Sequence, residues 1–175
     1  WAAGVGVVGD FLSGLGIAPG SFSLADGSGL SRGNLMSPRS MTGLLEQMYF
    51  HALGRDFLRS LPFSGEPGLK WQRRLARAPY AGNVFAKTGT INGVSTLSGY
   101  AKAVSGKVYA FSILFNQVRS NAGAHAALNR AVALAAAVFL VHQLMAWPPH
   151  EDETLALFVG RDSLAGVVEH VTRER

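Results

Sequence analysis

The apolar positions of the chain follow two different rhythms. Toward the N-terminus they recur every three or four residues. Val5, Val8, Phe11, Leu12 and Leu15 predict a helix over residues 2–15, although Gly4, Gly6 and Gly9 weaken it. Gly14, Gly16 and Pro19-Gly20 end that segment, Ser21–Ala25 reads as a short strand, and Asp26-Gly27-Ser28-Gly29 is a turn. Ser37-Pro38 is a helix start, an N-cap hydroxyl followed by proline at the first helical position. Met41, Leu44, Leu45 and Met48 continue at helical spacing, Gly54 interrupts, and Leu61-Pro62 closes the region before a Gly/Pro-rich loop to Gly68.

The rhythm then changes. Val84–Thr88, Val94–Ala103 and Val108–Asn116 predict three strands, joined at Asn92-Gly93, the strongest short hairpin signal, and at Ser105-Gly106. The third strand reads VYAFSILFN, apolar toward both faces, so helices are expected to cover the sheet on both sides. Residues 122–147 form an alanine-rich stretch that predicts a long helix on that sheet, ended by Pro148-Pro149. Thr154–Val159 reads as a further strand, and Asp162 or Ser163 caps a last helix carrying Leu164, Val167, Val168 and Val171. The fold class is therefore α/β of the α+β type, an antiparallel meander with helices. It is read as one partial domain: a helical region over 1–68, a strand-rich region over 69–118, a covering helix over 119–147 and a C-terminal extension over 148–175.

Composition narrows the chemistry. The chain has 175 residues, 48% of them hydrophobic and 15% charged, which excludes intrinsic disorder. With no cysteine there is no disulfide framework, thiol nucleophile or thiolate metal site. The formal charge of +5 permits anionic partners and selects none. Lys70, Arg73, Arg74 and Arg77 share one face if residues 69–78 are helical, with Trp71 and Leu75 opposite. That is either a solvated basic face or a contact for an anionic polymer. No nucleic-acid motif accompanies the charge, so no nucleic-acid partner is expected. The apolar run Ala131–Val141 is too short to span a membrane. None of His51, His125, His142, His150 and His170 stands at metal-ligand spacing, and His142 lies in an apolar helix as a core histidine. No nucleotide-binding glycine motif is present, and no cofactor is expected.

Lys87-Thr88-Gly89-Thr90 is the chemically informative run. It sits just before the Asn-Gly turn, at the end of a predicted strand. A strand with an open edge adds an extended peptide as a further strand. There an ammonium and hydroxyls hold a free carboxylate, a glycine admits a close backbone, and the N–H near Thr90 serves as an oxyanion donor. The alternative is an ordinary exposed Lys-Thr pair on a hairpin. A second run, Asp26-Gly27-Ser28-Gly29-Leu30-Ser31-Arg32-Gly33-Asn34, reads either as one wall of a cleft or as a brace between helix and sheet. Its glycines and short polar side chains favour the brace, and no base is paired with Ser28.

Together with Phe85-Ala86-Lys87-Thr88-Gly89-Thr90 and Gly93-Val94-Ser95-Thr96-Leu97-Ser98-Gly99-Tyr100, that nine-residue run resembles the C-terminal third of the DacB-type D-alanyl-D-alanine carboxypeptidases and endopeptidases. These are low-molecular-mass penicillin-binding proteins. The resemblance covers about residues 1–145 and leaves 148–175 unexplained. It implies the penicillin-recognising, β-lactamase-like fold, with the antiparallel sheet covered by helices on both faces. It also implies an acyl-enzyme mechanism on peptidoglycan peptides ending in D-Ala-D-Ala, inhibition by β-lactams, and a periplasmic or otherwise extracytoplasmic location. By that resemblance Lys87 and Thr88 bind the terminal carboxylate, Gly89 lies against the substrate, and Thr90 gives its N–H to the oxyanion and its hydroxyl to the carboxylate. The family's S-x-x-K and S-x-N motifs are absent from residues 1–175. The chain, which opens on Trp1, is therefore expected to be a piece of a longer enzyme whose upstream segment supplies nucleophile and base, and to be inactive alone. The alternative is a non-catalytic, cell-wall-peptide-binding relative of the same fold.

Overall fold

A computed structural model describes residues 2–68, 75–103, 106–144 and 155–156. Helix α1 spans Ala2–Gly14, and two short strands, β1 (Phe22–Ser23) and β2 (Leu35–Met36), follow it. Helices α2 (Pro38–Phe50) and α3 (Gly54–Ser60) lead to the meander of β3 (Val84–Ile91), β4 (Val94–Lys102) and β5 (Val108–Asn116). Helix α4 (Asn121–Leu144) comes next, then β6 (Leu155–Ala156). The main sheet has the order β3-β4-β5-β6, antiparallel except for β6, which runs parallel to β5. No helix among the described residues is long and apolar enough to cross a membrane.

The double-sided apolar pattern of β5 is explained by what lies on each face. On one face, Val84 and Ala86 of β3, Leu97 of β4 and Phe111 and Ile113 of β5 bury against Leu128, Ala131 and Val132 of α4. Removing each of the larger of these side chains, the valines, leucines, isoleucine and phenylalanine, from water contributes about 1.5–3 kcal/mol. On the other face, Tyr100 is buried beneath α2. Its hydroxyl donates to the Leu45 carbonyl at 2.5 Å, and its ring lies 5.7 Å from that of Tyr49. Burial pushes the Tyr100 phenol well above its ordinary pKa, with Tyr49 adding to the rise. So Tyr100 acts as a neutral hydrogen-bonded pin between sheet and helix. Ser98 and the fully buried Ser112 satisfy each other on this face at 2.8 Å.

Helix α2 starts as its sequence dictates. The Ser37 hydroxyl accepts from the Ser40 N–H at 3.0 Å, and Pro38 fills the first helical position. Strand β1 is shorter than the Ser21–Ala25 reading and pairs with β2, which two residues of sequence could not signal. The pairing delivers Ser37 to its capping position, with the Ser37 N–H donating to the Ser21 carbonyl at 3.2 Å.

One other expectation changes. Strand β3 runs to Ile91, beyond the predicted Thr88, because the Asn92-Gly93 turn joins Ile91 directly to Val94. The whole Lys87–Thr90 run is therefore inside the strand. Lys70, Trp71, Arg73 and Arg74 lie outside the described residues; Arg77, which would share their face if residues 69–78 were helical, lies among bends and turns. Pro79 disfavours helical backbone at Ala78, and Leu75, at φ 53°, packs against the α4-side core. Within the predicted strand 154–159, β6 occupies Leu155–Ala156, and the last predicted helix lies outside the described residues.

The β3–β4 pairing imposes one sharp steric demand. A Cβ on Gly99 would collide with the Phe85 carbonyl oxygen and lie 2.5 Å from the Ala86 Cα. Both are backbone atoms and cannot swing away. Gly99→Ala is expected to cost about 2 kcal/mol or more, as overpacking does. A thermal or denaturant midpoint equal to that of the wild type would contradict this packing.

Candidate functional site

The site grows from an edge. Strand β3 is paired with β4 on one side, and its other side begins covered and ends open. The Ala86 N–H donates to the Pro62 carbonyl at 2.9 Å, and the Ser64 N–H donates to the Val84 carbonyl at 2.8 Å. In an antiparallel ladder the outward main-chain groups alternate. Those of Val84 and Ala86 point outward, so those of Thr88 and Thr90 do too. The cover stops at Ala86. Among the described residues nothing pairs with the outward N–H groups of Thr88 and Thr90.

Alternation also separates the side chains of the Lys-Thr-Gly-Thr run. Thr88 and Thr90 have the parity of Val84 and Ala86 and lie on the α4 side. Lys87 and Gly89 have the parity of Phe85, which stands opposite Tyr100, and lie on the α2 side. The four residues share an edge rather than a face. The exposed Lys87 closes that gap with its length, its ammonium donating to the Thr88 carbonyl at 2.8 Å. A positive charge therefore rests on the outward main-chain groups of the open edge. Gly89 has a demand of its own: a Cβ there would collide with the Thr96 hydroxyl, so cross-strand packing keeps the position small.

The open end of β3 is held from both sides. On the α4 side the Thr90 hydroxyl lies 3.3 Å from His125 Nε2, and the Asn121 side-chain amide donates to the Ile91 carbonyl at 3.1 Å. At the hairpin tip Arg32 donates to the Asn92 carbonyl at 2.5 Å, and the Val118 N–H donates to the Gly93 carbonyl at 3.0 Å. Sequence reasoning misses His125 as a site residue, although a signal is present. His125, Leu128 and Val132 are spaced three and four apart, on the stripe of α4 that faces the sheet.

Arg32 belongs to the Asp26–Asn34 loop, which is built as a brace. The Asp26 carboxylate accepts from the Ser28 N–H, the Ser28 hydroxyl and the Asn34 side-chain amide at 3.0, 2.9 and 3.1 Å. Asn34 Oδ1 in turn accepts from the Ala25 and Asp26 N–H groups, at 2.7 and 3.2 Å. The Ser28 hydroxyl is thus spent on a carboxylate within an Asx-type turn, and Ser31 accepts from the Gly33 N–H at 3.1 Å. The loop's outward reach is Arg32, which ties the brace to the β3–β4 hairpin. Among the described residues no group of three or more His, Asp or Glu side chains is arranged to hold a metal.

A sheet clothed by helices on both faces, ending in an edge strand that carries Lys-Thr-Gly-Thr, is the fold of the penicillin-binding proteins. The described chain resembles penicillin-binding protein 4 of Haemophilus influenzae, solved in complex with a β-lactam, at TM-score 0.58 and 36% identity over 65% of this chain and 26% of that one. A predatory endopeptidase of Bdellovibrio bacteriovorus shares the fold at TM-score 0.60 and 20% identity, over 75% of this chain and 36% of that one. The chain belongs to the D-Ala-D-Ala carboxypeptidase 3 (S13) family, whose model matches residues 1–138. It is 39% identical over 147 residues to a D-alanyl-D-alanine carboxypeptidase of Actinomadura sp. strain R39, 82% of this chain and 27% of that protein. It is 36% identical over 102 residues to the carboxypeptidase DacB of Haemophilus influenzae, 58% of this chain and 21% of that protein. The chain thus spans about a quarter of the length of these relatives.

The brace has an electrostatic signature. The Ser28 hydroxyl and N–H, with Asn34, hold the Asp26 carboxyl below its ordinary value of 3.8. A carboxylate with a depressed folded pKa stabilises above its unfolded value, and that contribution is lost as pH falls through the folded value. Asp26→Asn is expected to lower the thermal midpoint at neutral pH. The gap to the wild type should narrow as pH drops below about 4. A gap that is the same at neutral and acid pH would contradict the charged brace.

Proposed function

We propose that this chain is the substrate-holding portion of a serine-type D-Ala-D-Ala carboxypeptidase or endopeptidase that acts on peptidoglycan stem peptides outside the cytoplasmic membrane. What carries the reading is the open end of β3: outward N–H groups at Thr88 and Thr90, with the Lys87 ammonium beside them at the Thr88 carbonyl. An extended peptide pairs with such an edge as an added strand. Its terminal carboxylate is drawn to Lys87 and the Thr88 hydroxyl by charge-assisted hydrogen bonds. Gly89 keeps bulk away from the edge. The N–H of Thr90 donates to the oxygen that becomes negative when the scissile carbonyl is attacked.

The attacking serine and its lysine base belong to a segment of the longer enzyme outside residues 1–175, which contain neither S-x-x-K nor S-x-N. The serine oxygen bonds to the carbonyl carbon of the D-Ala-D-Ala peptide. The C–N bond breaks, and the departing amine of the terminal D-Ala takes up the proton that the serine gave up. Water then cleaves the ester and restores the serine. β-Lactams enter by the same route, because they present a carboxylate and a reactive carbonyl together. No metal or cofactor enters this scheme.

In the full-length protein, Lys87→Ala is expected to weaken turnover of substrates with a free terminal carboxylate by about tenfold to a hundredfold, the worth of one charge-assisted hydrogen bond. Turnover of the C-terminally amidated counterparts should change far less. Equal losses on both would remove the carboxylate-binding role. Failure of the full-length wild type to be labelled by a fluorescent penicillin would favour a non-catalytic peptide-binding module instead.

A further inference from the structure

We propose that His125 is a positioning residue that fixes the Thr90 end of the substrate edge. The inference rests on the reading of β3 given under the proposed function. The cover provided by Pro62–Ser64 ends at Ala86, so the last five residues of β3 have a ladder on one side only. Strand ends paired on one side fray unless something holds them. Thr90 is exposed, and its hydroxyl, on the α4 side, is 3.3 Å from His125 Nε2.

That hydrogen bond sets the rotamer of a β-branched side chain, which is stiff at χ1. Fixing the rotamer fixes the Cα and the peptide plane whose N–H points out of the edge. His125 can do this because α4 is itself anchored. Ala124 and Leu128, flanking His125 on the same helix, are 7% and 0% exposed. One residue further along β3, Asn121 from the first turn of α4 holds the Ile91 carbonyl. The start of α4 therefore clamps Thr90 and Ile91 together. His125 does not touch the substrate; it acts through Thr90.

Two variants separate hydrogen bonding from bulk. His125→Phe keeps a ring and loses the bond, whereas His125→Gln keeps a polar atom within reach of the Thr90 hydroxyl. The first readout is amide hydrogen exchange at Gly89 and Ile91, whose N–H groups pair with β4. His125→Phe should speed it by about tenfold, and His125→Gln should recover most of the protection. The second is the rate of acylation of the full-length protein by a fluorescent penicillin. His125→Phe should slow acylation by about tenfold or more, since small misplacements of a positioned group are costly. Thr90→Val should show a similar loss, and the double variant should be no slower than either single one. Unchanged exchange in His125→Phe would overturn the proposal. So would equal losses in His125→Phe and His125→Gln, which would mark a packing role only. If His125→Phe does not fold, Thr90→Val removes the same bond from its other end, and unchanged exchange there has the same meaning. Slowed acylation in Lys87→Ala but not in His125→Phe would remove the positioning role alone. Acylation untouched by Lys87→Ala would remove the underlying reading of the edge.

Discussion

Much of this molecule is arranged around one unfinished ladder. The outer edge of β3 is closed by Pro62 and Ser64 as far as Ala86 and is open from Thr88 onward. An open strand edge is a liability, because its unpaired main-chain groups template association. Here the open stretch is short and carries a lysine. It is also clamped at its hairpin end by elements from three regions of the chain: Arg32 from the brace loop, Val118 after β5, and Asn121 and His125 from α4. That combination holds the edge rigid and leaves it accessible. A rigid, accessible ladder is what an extended peptide substrate requires.

The layers on either side serve the same end. Helix α4 buries an aliphatic core against one face, and α2 pins the other through Tyr100. With both faces fixed, the direction in which the main-chain groups of Thr88 and Thr90 point is set by the sheet and not by loop conformation. Gly99 lets β3 and β4 come close enough for this, and Gly89 yields its side-chain space to Thr96. The glycines near the Lys-Thr-Gly run are therefore explained by packing.

A good share of this was legible in the sequence. The apolar character of both faces of β5, the Ser37-Pro38 helix start and the Asn92-Gly93 turn each have a local physical cause, and each is present. The family was legible from the Asp26–Asn34 and Phe85–Thr90 runs together. What was not legible depends on distant segments of the chain meeting. Strand β2 exists because Phe22 finds Met36, and two residues carry no period. The place of Gly89 and Thr90 in the same alternation follows only once β3 is known to run on to Ile91. His125 stood on a recognisable stripe, but its partner Thr90 is 35 residues away and depends on how α4 crosses the sheet.

The most direct test is a crystal structure of the full-length protein acylated by a penicillin. The acyl carbonyl oxygen is expected within hydrogen-bond reach of the Thr90 N–H, and the penicillin carboxylate at Lys87 and the Thr88 hydroxyl. A bound penicillin whose carboxylate and carbonyl leave the Thr88–Ile91 edge unengaged would contradict the substrate-holding role of this strand.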